Sequence, residues 1–325
     1  MLKTKKLFVP AARIVLFILL LCAVRAQAQL PKFEYKGVAI DPKDTKWPGS
    51  KDLISPVIIN AADIFEKPLA KYYLYTGPHD HADDNGIGLY VSDSLDGPWK
   101  LYGPVVGDRM AAVHVIWSEE EKLLYLFAHL PPVNRNFYCN SKDGIHLSEK
   151  KKIDIKSHGY GKVYRYTLPG HYNKYIFVGW NGALYGNWKN NKPQRFMSSL
   201  WKSDNLKSWT LVDQFRYDPR GTKHHNCGSP FYVHYGGKHY ILFDGAREGY
   251  EEPAGVEIWG YEVDKELKPI RDIGTVMSFE VGNPQEKIRV GPGFVYQERG
   301  KLYLFYSQGP RLGQRIAYAV AKIGD

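Results

Sequence analysis

The sequence predicts an all-β fold, a five-bladed β-propeller of four-stranded antiparallel blades. Three observations carry this: an internal repeat, an apolar strand ahead of each copy, and a recurrent turn behind it. The repeat is a Lys followed by a Tyr/Leu/Phe-rich run. KYYLYTG starts at Lys71, KLLYLFA at Lys122, KYIFVGW at Lys174, KHYILFD at Lys238 and KLYLFYS at Lys301, with spacings of 51, 52, 64 and 63 residues. Six or seven aromatic and branched residues in a row read as a strand buried on both faces.

Each run is preceded by a strand A: SPVIIN (55–60), AAVHVIW (111–117), KVYRYTL (162–168), SPFYVHY (229–235) and GPGFVYQ (291–297). The turns between A and B, such as SEEEK, YGGK and QERGK, are polar or contain glycine, as tight hairpins require. A third strand follows in every copy: GIGLYVS (86–92), NFYCNS (136–141), MSSLWKS (197–203), GVEIWGYEV (255–263) and QRIAYAVA (314–321). Behind it come SDSLDGPW, SKDGIHL and SDNLKSW, each opening on Ser with Asp, Asn or Gly at the turn, which predicts a hairpin into strand D. The fifth copy ends without a strand D. FEYKGVAI (33–40) is therefore expected to close the ring and remove its exposed edges.

The amino terminus reads differently. Lys3, Lys5, Lys6 and Arg13 precede an apolar core at residues 14–24 and the A-x-A signal Ala26-Gln27-Ala28. This predicts a signal peptide over residues 1–28, a propeller over 29–325 and a secreted or periplasmic protein. The apolar run is shorter than the roughly 20 residues of a membrane span. A lipidated Cys22 is the lesser alternative, because Leu21 stands where a small residue is wanted. The full chain has a formal charge of +10, but the leader holds five basic and no acidic residues, so the remaining 297 carry only +5. With no basic stripe, nucleic acid is not an expected partner, and a monomer is expected. Cys139 and Cys227 permit a disulfide after export but define no framework, and two buried small residues fit them better.

In an A-B-C-D meander the D-to-A and B-to-C connections of all blades meet at one mouth of the channel. The connections at that end are the longer ones, and loops on a rigid scaffold are where binding and catalysis concentrate. They collect aromatic rings beside carboxylates and cations, which suits a sugar with its CH faces and hydroxyl edges. Asp80 and Glu248 are the favoured carboxylate pair, since glycosidic cleavage needs an acid and a second carboxylate or equivalent base. Solvated loop charge is the ordinary reading of both, and Asp52, Asp83, Asp84, Asp108, Asp244 and Glu251 are weaker candidates. His114, inside an inner strand, is either a satisfied core imidazole or a proton-transfer group. His79, His81, His129, Trp180, His225 and Arg247 are expected to bind substrate, with Trp188, His158, Tyr160 and His224 nearby. Arg165, Arg289 and Arg311 could form a cationic rim for a carboxylated sugar or phosphate. His79-Asp80-His81 has the make-up of a metal clip, but hydrogen bonding to hydroxyls suits it better, and neither a metal nor a cofactor is expected.

The K-x-Y-x-L-F/Y strands, S-D-S-L-D-G-P-W and G-P-G-F-V-Y together resemble the five-bladed glycoside hydrolases of the family 43, 32 and 68 superfamily, and residues 53–99 resemble an uncharacterised sugar-hydrolase-like group within it. The resemblance implies a glycosidase acting at a glycan chain end in an axial pocket. That superfamily places an Asp-Pro at the start of the first strand A and a Glu-Gly-Pro before a later one. Here those positions read Ser55-Pro56 and Gly228-Ser229-Pro230, so neither role transfers. A non-catalytic sugar-binding propeller and a glycoside phosphorylase remain the alternatives.

Overall fold

The computed structural model describes residues 29–44, 51–79, 86–107, 110–130, 135–155, 160–185, 195–250, 254–281 and 289–323. Its twenty strands form five four-stranded antiparallel sheets. The chain begins with β1 (Glu34–Ile40) and continues into blade 1, β2 (Ile54–Asn60), β3 (Tyr72–Gly77), β4 (Ile87–Ser92) and β5 (Lys100–Val106). Blade 2 is β6 (Ala111–Ser118), β7 (Leu123–Leu130), β8 (Arg135–Ser141) and β9 (Lys151–Ile153). Blade 3 is β10 (Lys162–Arg165), β11 (Tyr175–Tyr185), β12 (Arg195–Ser203) and β13 (Thr210–Tyr217). Blade 4 is β14 (Gly228–Tyr235), β15 (Lys238–Ala246), β16 (Val256–Val263) and β17 (Pro269–Met277). Blade 5 holds β18 (Arg289–Glu298), β19 (Lys301–Gly309) and β20 (Arg315–Lys322), and β1 supplies its fourth strand.

That closure is the expected one. β1 pairs antiparallel with β20 from Glu34↔Val320 to Ile40↔Ile316. Phe33 and Ile40 are buried in the packing on either side. The predicted third strand A is shorter than 162–168, because strand geometry stops at Arg165. Beyond it the Asn173 side chain takes over the ladder's bonds, donating to the Tyr166 carbonyl at 2.8 Å and accepting from Leu168 N–H at 3.2 Å. Pro169, which has no N–H to give, follows directly.

The recurrent Ser turn is a hydrogen-bonding device. Ser141 Oγ accepts from Gly144 N–H at 2.9 Å and Ser203 Oγ from Leu206 N–H at 3.0 Å. Asp143 and Asn205 then accept two further backbone N–H groups each, from residues 145 and 146 and from 207 and 208. The side chains thereby fix the C-to-D hairpins that the sequence marks.

Apolar clusters fill every blade interface, for example Val57, Tyr75, Val113 and Leu126 between blades 1 and 2, and Val178, Leu200, Phe243 and Trp259 between blades 3 and 4. Full burial of such side chains contributes about 1.5–3 kcal/mol each. The inner strands share one further feature at the mouth: Ser55, Ala112, Tyr160, Ser229 and Gly291 all have positive φ, between 38° and 111°. In blades 1, 2, 4 and 5 the ladder register slips at this point. A bulge kinks the backbone and re-aims the side chains beside it. Cys139 and Cys227 are free and buried. Among the described residues no helix is long and apolar enough to cross a membrane.

Candidate functional site

The mouth has a charged floor and an aromatic wall. Asp52, just ahead of β2, is 1% exposed. Its carboxylate accepts Gln314 N–H at 2.7 Å and His79 N–H at 3.0 Å, binding together connections of blades 1 and 5. Burial raises its pKa, against the opposing pull of those two N–H groups, His79 and Arg289.

Asp244 stands near the end of β15, paired in register with Gly228. A Cβ at Gly228 would lie 2.7 Å from Asp244 Oδ1, and one at Gly291 would lie 2.5 Å from Asp244 Cβ. Both positions must therefore be glycine for Asp244 to sit where it does. Arg289, which opens β18, places Nη2 at 3.3 Å from Asp244 Oδ2, with both side chains under 10% exposed. Lys162, which opens β10, completes the floor. It is 1% exposed, and burial pulls its amine down to about 7 while the Asp244 charge pushes it back up.

The wall centres on Tyr160, a left-handed aromatic residue at φ 52°. Such a backbone costs about 1–3 kcal/mol in a non-glycine residue and persists only where the surroundings hold it. Its ring lies 5.0 Å from that of His129, 5.9 Å from His79 and 5.9 Å edge-on to Trp180. Ile54 and Ala112 pack against the same group.

The remaining candidates divide. His114 is sealed at 2% exposure, with Nε2 donating to the Val163 carbonyl at 2.6 Å. Burial, then the Lys162 charge, brings its pKa well below 6.5, so it is a neutral imidazole beneath the mouth. Glu248 is exposed, and its backbone N–H is engaged with the Lys223 carbonyl at 2.7 Å. His225 is half-buried and donates its backbone N–H to Ala246. Arg311 is exposed on its loop. Arg165 is not at the mouth at all: its partner in register is Tyr175, at the rear, and it pairs with Glu120 at 3.1 Å.

Arg247 and His224 serve a buried carboxylate. Arg247 donates to both oxygens of Glu257, at 3.1 and 2.5 Å, while His224 and Thr275 reach Glu257 Oε1 at 2.8 and 2.6 Å. Burial would raise the Glu257 pKa, yet these bonds outweigh it and leave the group below its usual range. His224 also stacks on Trp259 at 4.5 Å. The cluster clamps two front-face connections onto blade 4.

Asp80, His81, Asp83, Asp84, Asp108, His158, Trp188 and Glu251 lie outside the described residues, as does the leader 1–28. Among the described residues no group of three or more His, Cys, Asp or Glu side chains could hold a metal ion. Lys162 escaped the sequence reading. It stands two residues after the left-handed Tyr160, the place His114 takes after the left-handed Ala112 in blade 2.

No family model matches the chain, and no curated protein does. Solved structures do. A structure of BT0996 in complex with RGII aligns at 13% identity and TM-score 0.66, covering 90% of this protein and 92% of that one. The α-L-arabinofuranosidase PaAbf62A of Podospora anserina, in complex with cellotriose, aligns at 12% identity and TM-score 0.59, covering 90% and 98%. An endo-arabinase of Bacteroides thetaiotaomicron VPI-5482 aligns at 14% identity and TM-score 0.58, covering 87% and 98%. At these identities the likeness is one of fold: this protein is built on the five-bladed propeller of solved glycoside hydrolases.

Proposed function

We propose that this protein is an exported glycoside hydrolase whose active pocket is the mouth floored by Asp52 and Asp244. The observation that carries the reading is the position of Asp244. Gly228 stands where the resembling superfamily has its acidic Glu, and the Asp244 carboxylate lies against it, within 2.7 Å of any Cβ that position could bear. A carboxylate is thus supplied to that spot from the paired strand. Asp52, three residues before Ser55-Pro56, offers the second carboxyl group, and its burial favours the protonated form a general acid needs. Arg289 holds Asp244 in place, and the Tyr160–Trp180 edge gives the sugar ring an apolar face.

The test is a glycan panel read for both binding and product release. Asp244→Asn and Asp52→Asn are expected to retain binding and lower turnover by about two orders of magnitude or more. Wild-type turnover in both variants would remove this assignment and return Asp80 and Glu248 to first place. Binding without turnover in the unaltered protein would favour a sugar-binding propeller instead. Export with cleavage after Ala28 is checked by sequencing the amino terminus of the secreted protein.

A further inference from the structure

Two cationic donors at the floor have no acceptor among the described residues. Lys162 Nζ and Arg289 Nε are buried and make no hydrogen bond there, in side chains whose residues are 1% and 7% exposed. They belong to the inner strands of blades 3 and 5 and stand on either side of Asp244, which blade 4 provides. Arg289 spends Nη2 on that carboxylate and keeps Nε in hand. Lys162 reaches Asp244 only through its field. Buried donors are ordinarily paired, and leaving one without a partner costs about 1–3 kcal/mol, more for a charged group. Two of them at one mouth indicate an acceptor that arrives from outside.

Charge narrows its nature. Asp244 is a single carboxylate between two basic side chains, Arg289 at 3.3 Å and Lys162, whose amine burial pulls down and the Asp244 charge pushes back up. An anion entering beside them would favour the charged form of Lys162 further. A sugar hydroxyl would meet a donor without matching that charge, whereas an oxyanion does both, and Arg with Lys is the donor set that carboxylate and phosphate groups select.

We propose that the Lys162–Arg289 side of the floor is an oxyanion subsite, which makes an acidic sugar residue, bearing its own carboxylate, the ligand class of this pocket. The proposal rests on the sugar-processing reading above and narrows its substrate. Free inorganic phosphate presents the same chemistry, so the two sources are separated by the probes.

Calorimetric titration of the full protein would compare galacturonate with galactose, glucuronate with glucose, and sodium phosphate alone. At least one acidic sugar is expected to bind tenfold or more tightly than its neutral counterpart. Lys162→Met, checked for its fold by circular dichroism, should lose that preference, and Arg289→Gln should lose it independently. Phosphate binding that depends on Lys162, with no preference among the sugars, would keep the subsite and assign it to a free ion. Equal binding of acidic and neutral sugars would overturn the subsite while leaving the sugar pocket standing. Undiminished acid preference in Lys162→Met would also overturn it, as would failure of every anionic probe to bind.

Discussion

Lys162 can be weighed through stability alone. Its amine drops from 10.5 in the open chain to about 7 in the fold because burial disfavours the charge. The unfolded chain keeps the proton up to its ordinary pKa, whereas the folded chain releases it near 7. Between pH 7 and 10.5 the unfolded state therefore binds more protons, and this group's contribution to stability rises with pH across that window; below it the penalty is full and constant. At 1.36 kcal/mol per unit the penalty is roughly 4 kcal/mol at pH 7 and about 1 kcal/mol at pH 9.5. Methionine keeps the length and flexibility of the side chain without the amine. Lys162→Met should thus be more stable than wild type by those two amounts at the two pH values. Urea denaturation of both proteins at pH 7 and 9.5 gives the difference directly. Taking the difference matters, because burial raises the thiol pKa of Cys139 and Cys227, and that opposes the trend in both proteins. An advantage that is absent at pH 7, or equal at both pH values, would refute a buried titrating amine.

Other elements give sharp expectations. A Cβ on Gly161 would fall 1.9 Å from Phe177 Cζ, so Gly161→Ala should cost about 1–3 kcal/mol by overpacking, seen as a fall of several degrees in melting temperature; an unchanged melt would show that Phe177 moves freely. The depressed pKa of His114 means the unfolded chain alone takes up its proton as pH falls below about 6.5. The acid side of the stability profile should accordingly be flatter in His114→Phe, and a profile identical to wild type would show that His114 protonates in the fold. Removing residues 29–40 withdraws β1, Phe33 and Ile40 from blade 5. A drop on the order of 10 °C is expected from lost burial alone, with self-association through the opened edge of β20; a monomer that melts as before would mean that β1 does not close the ring.

The sequence made the architecture legible because strand burial repeats. Lys71, Lys122, Lys174, Lys238 and Lys301 stand at or immediately before the first residue of β3, β7, β11, β15 and β19, since a strand sealed on both faces needs a solvated residue where it leaves the turn. The Ser-led turns were legible for a similar reason: their bonds run between residues two or three apart. The site was legible only as a region. Which loop faces the mouth follows from topology, but which charge is spent on a neighbour depends on contacts far along the chain. Arg247 belongs to Glu257, ten positions on, and Arg289 meets Asp244 across 45 positions. A carboxylate sealed among apolar strands needs cations wherever they can be found, and nothing in the local pattern of DGAREGYEEPA distinguishes the arginine that answers that need from one that greets a ligand.

The pairing of Gly228 with Asp244 also bears on how a motif's absence should be judged in this fold. Positions 228 and 244 face each other in one ladder, and the left-handed Ser229 turns the incoming strand at that point. A side chain at 228 would crowd Asp244 twice, its Cβ lying 2.7 Å from the carboxylate Oδ1 and 2.8 Å from the backbone carbonyl oxygen. Restoring the carboxylate to strand A should therefore fail while Asp244 is present: Gly228→Glu alone is expected to destabilise by about 1–3 kcal/mol through overpacking and like charge. Gly228→Glu combined with Asp244→Gly removes the contact with the carboxylate but keeps the one with the residue-244 carbonyl oxygen at 2.8 Å, so it should recover only the side-chain part of that loss. If the double variant is less stable than the sum of its two single changes, the corner is not shared, and Asp244 cannot be regarded as occupying the place that position 228 left vacant.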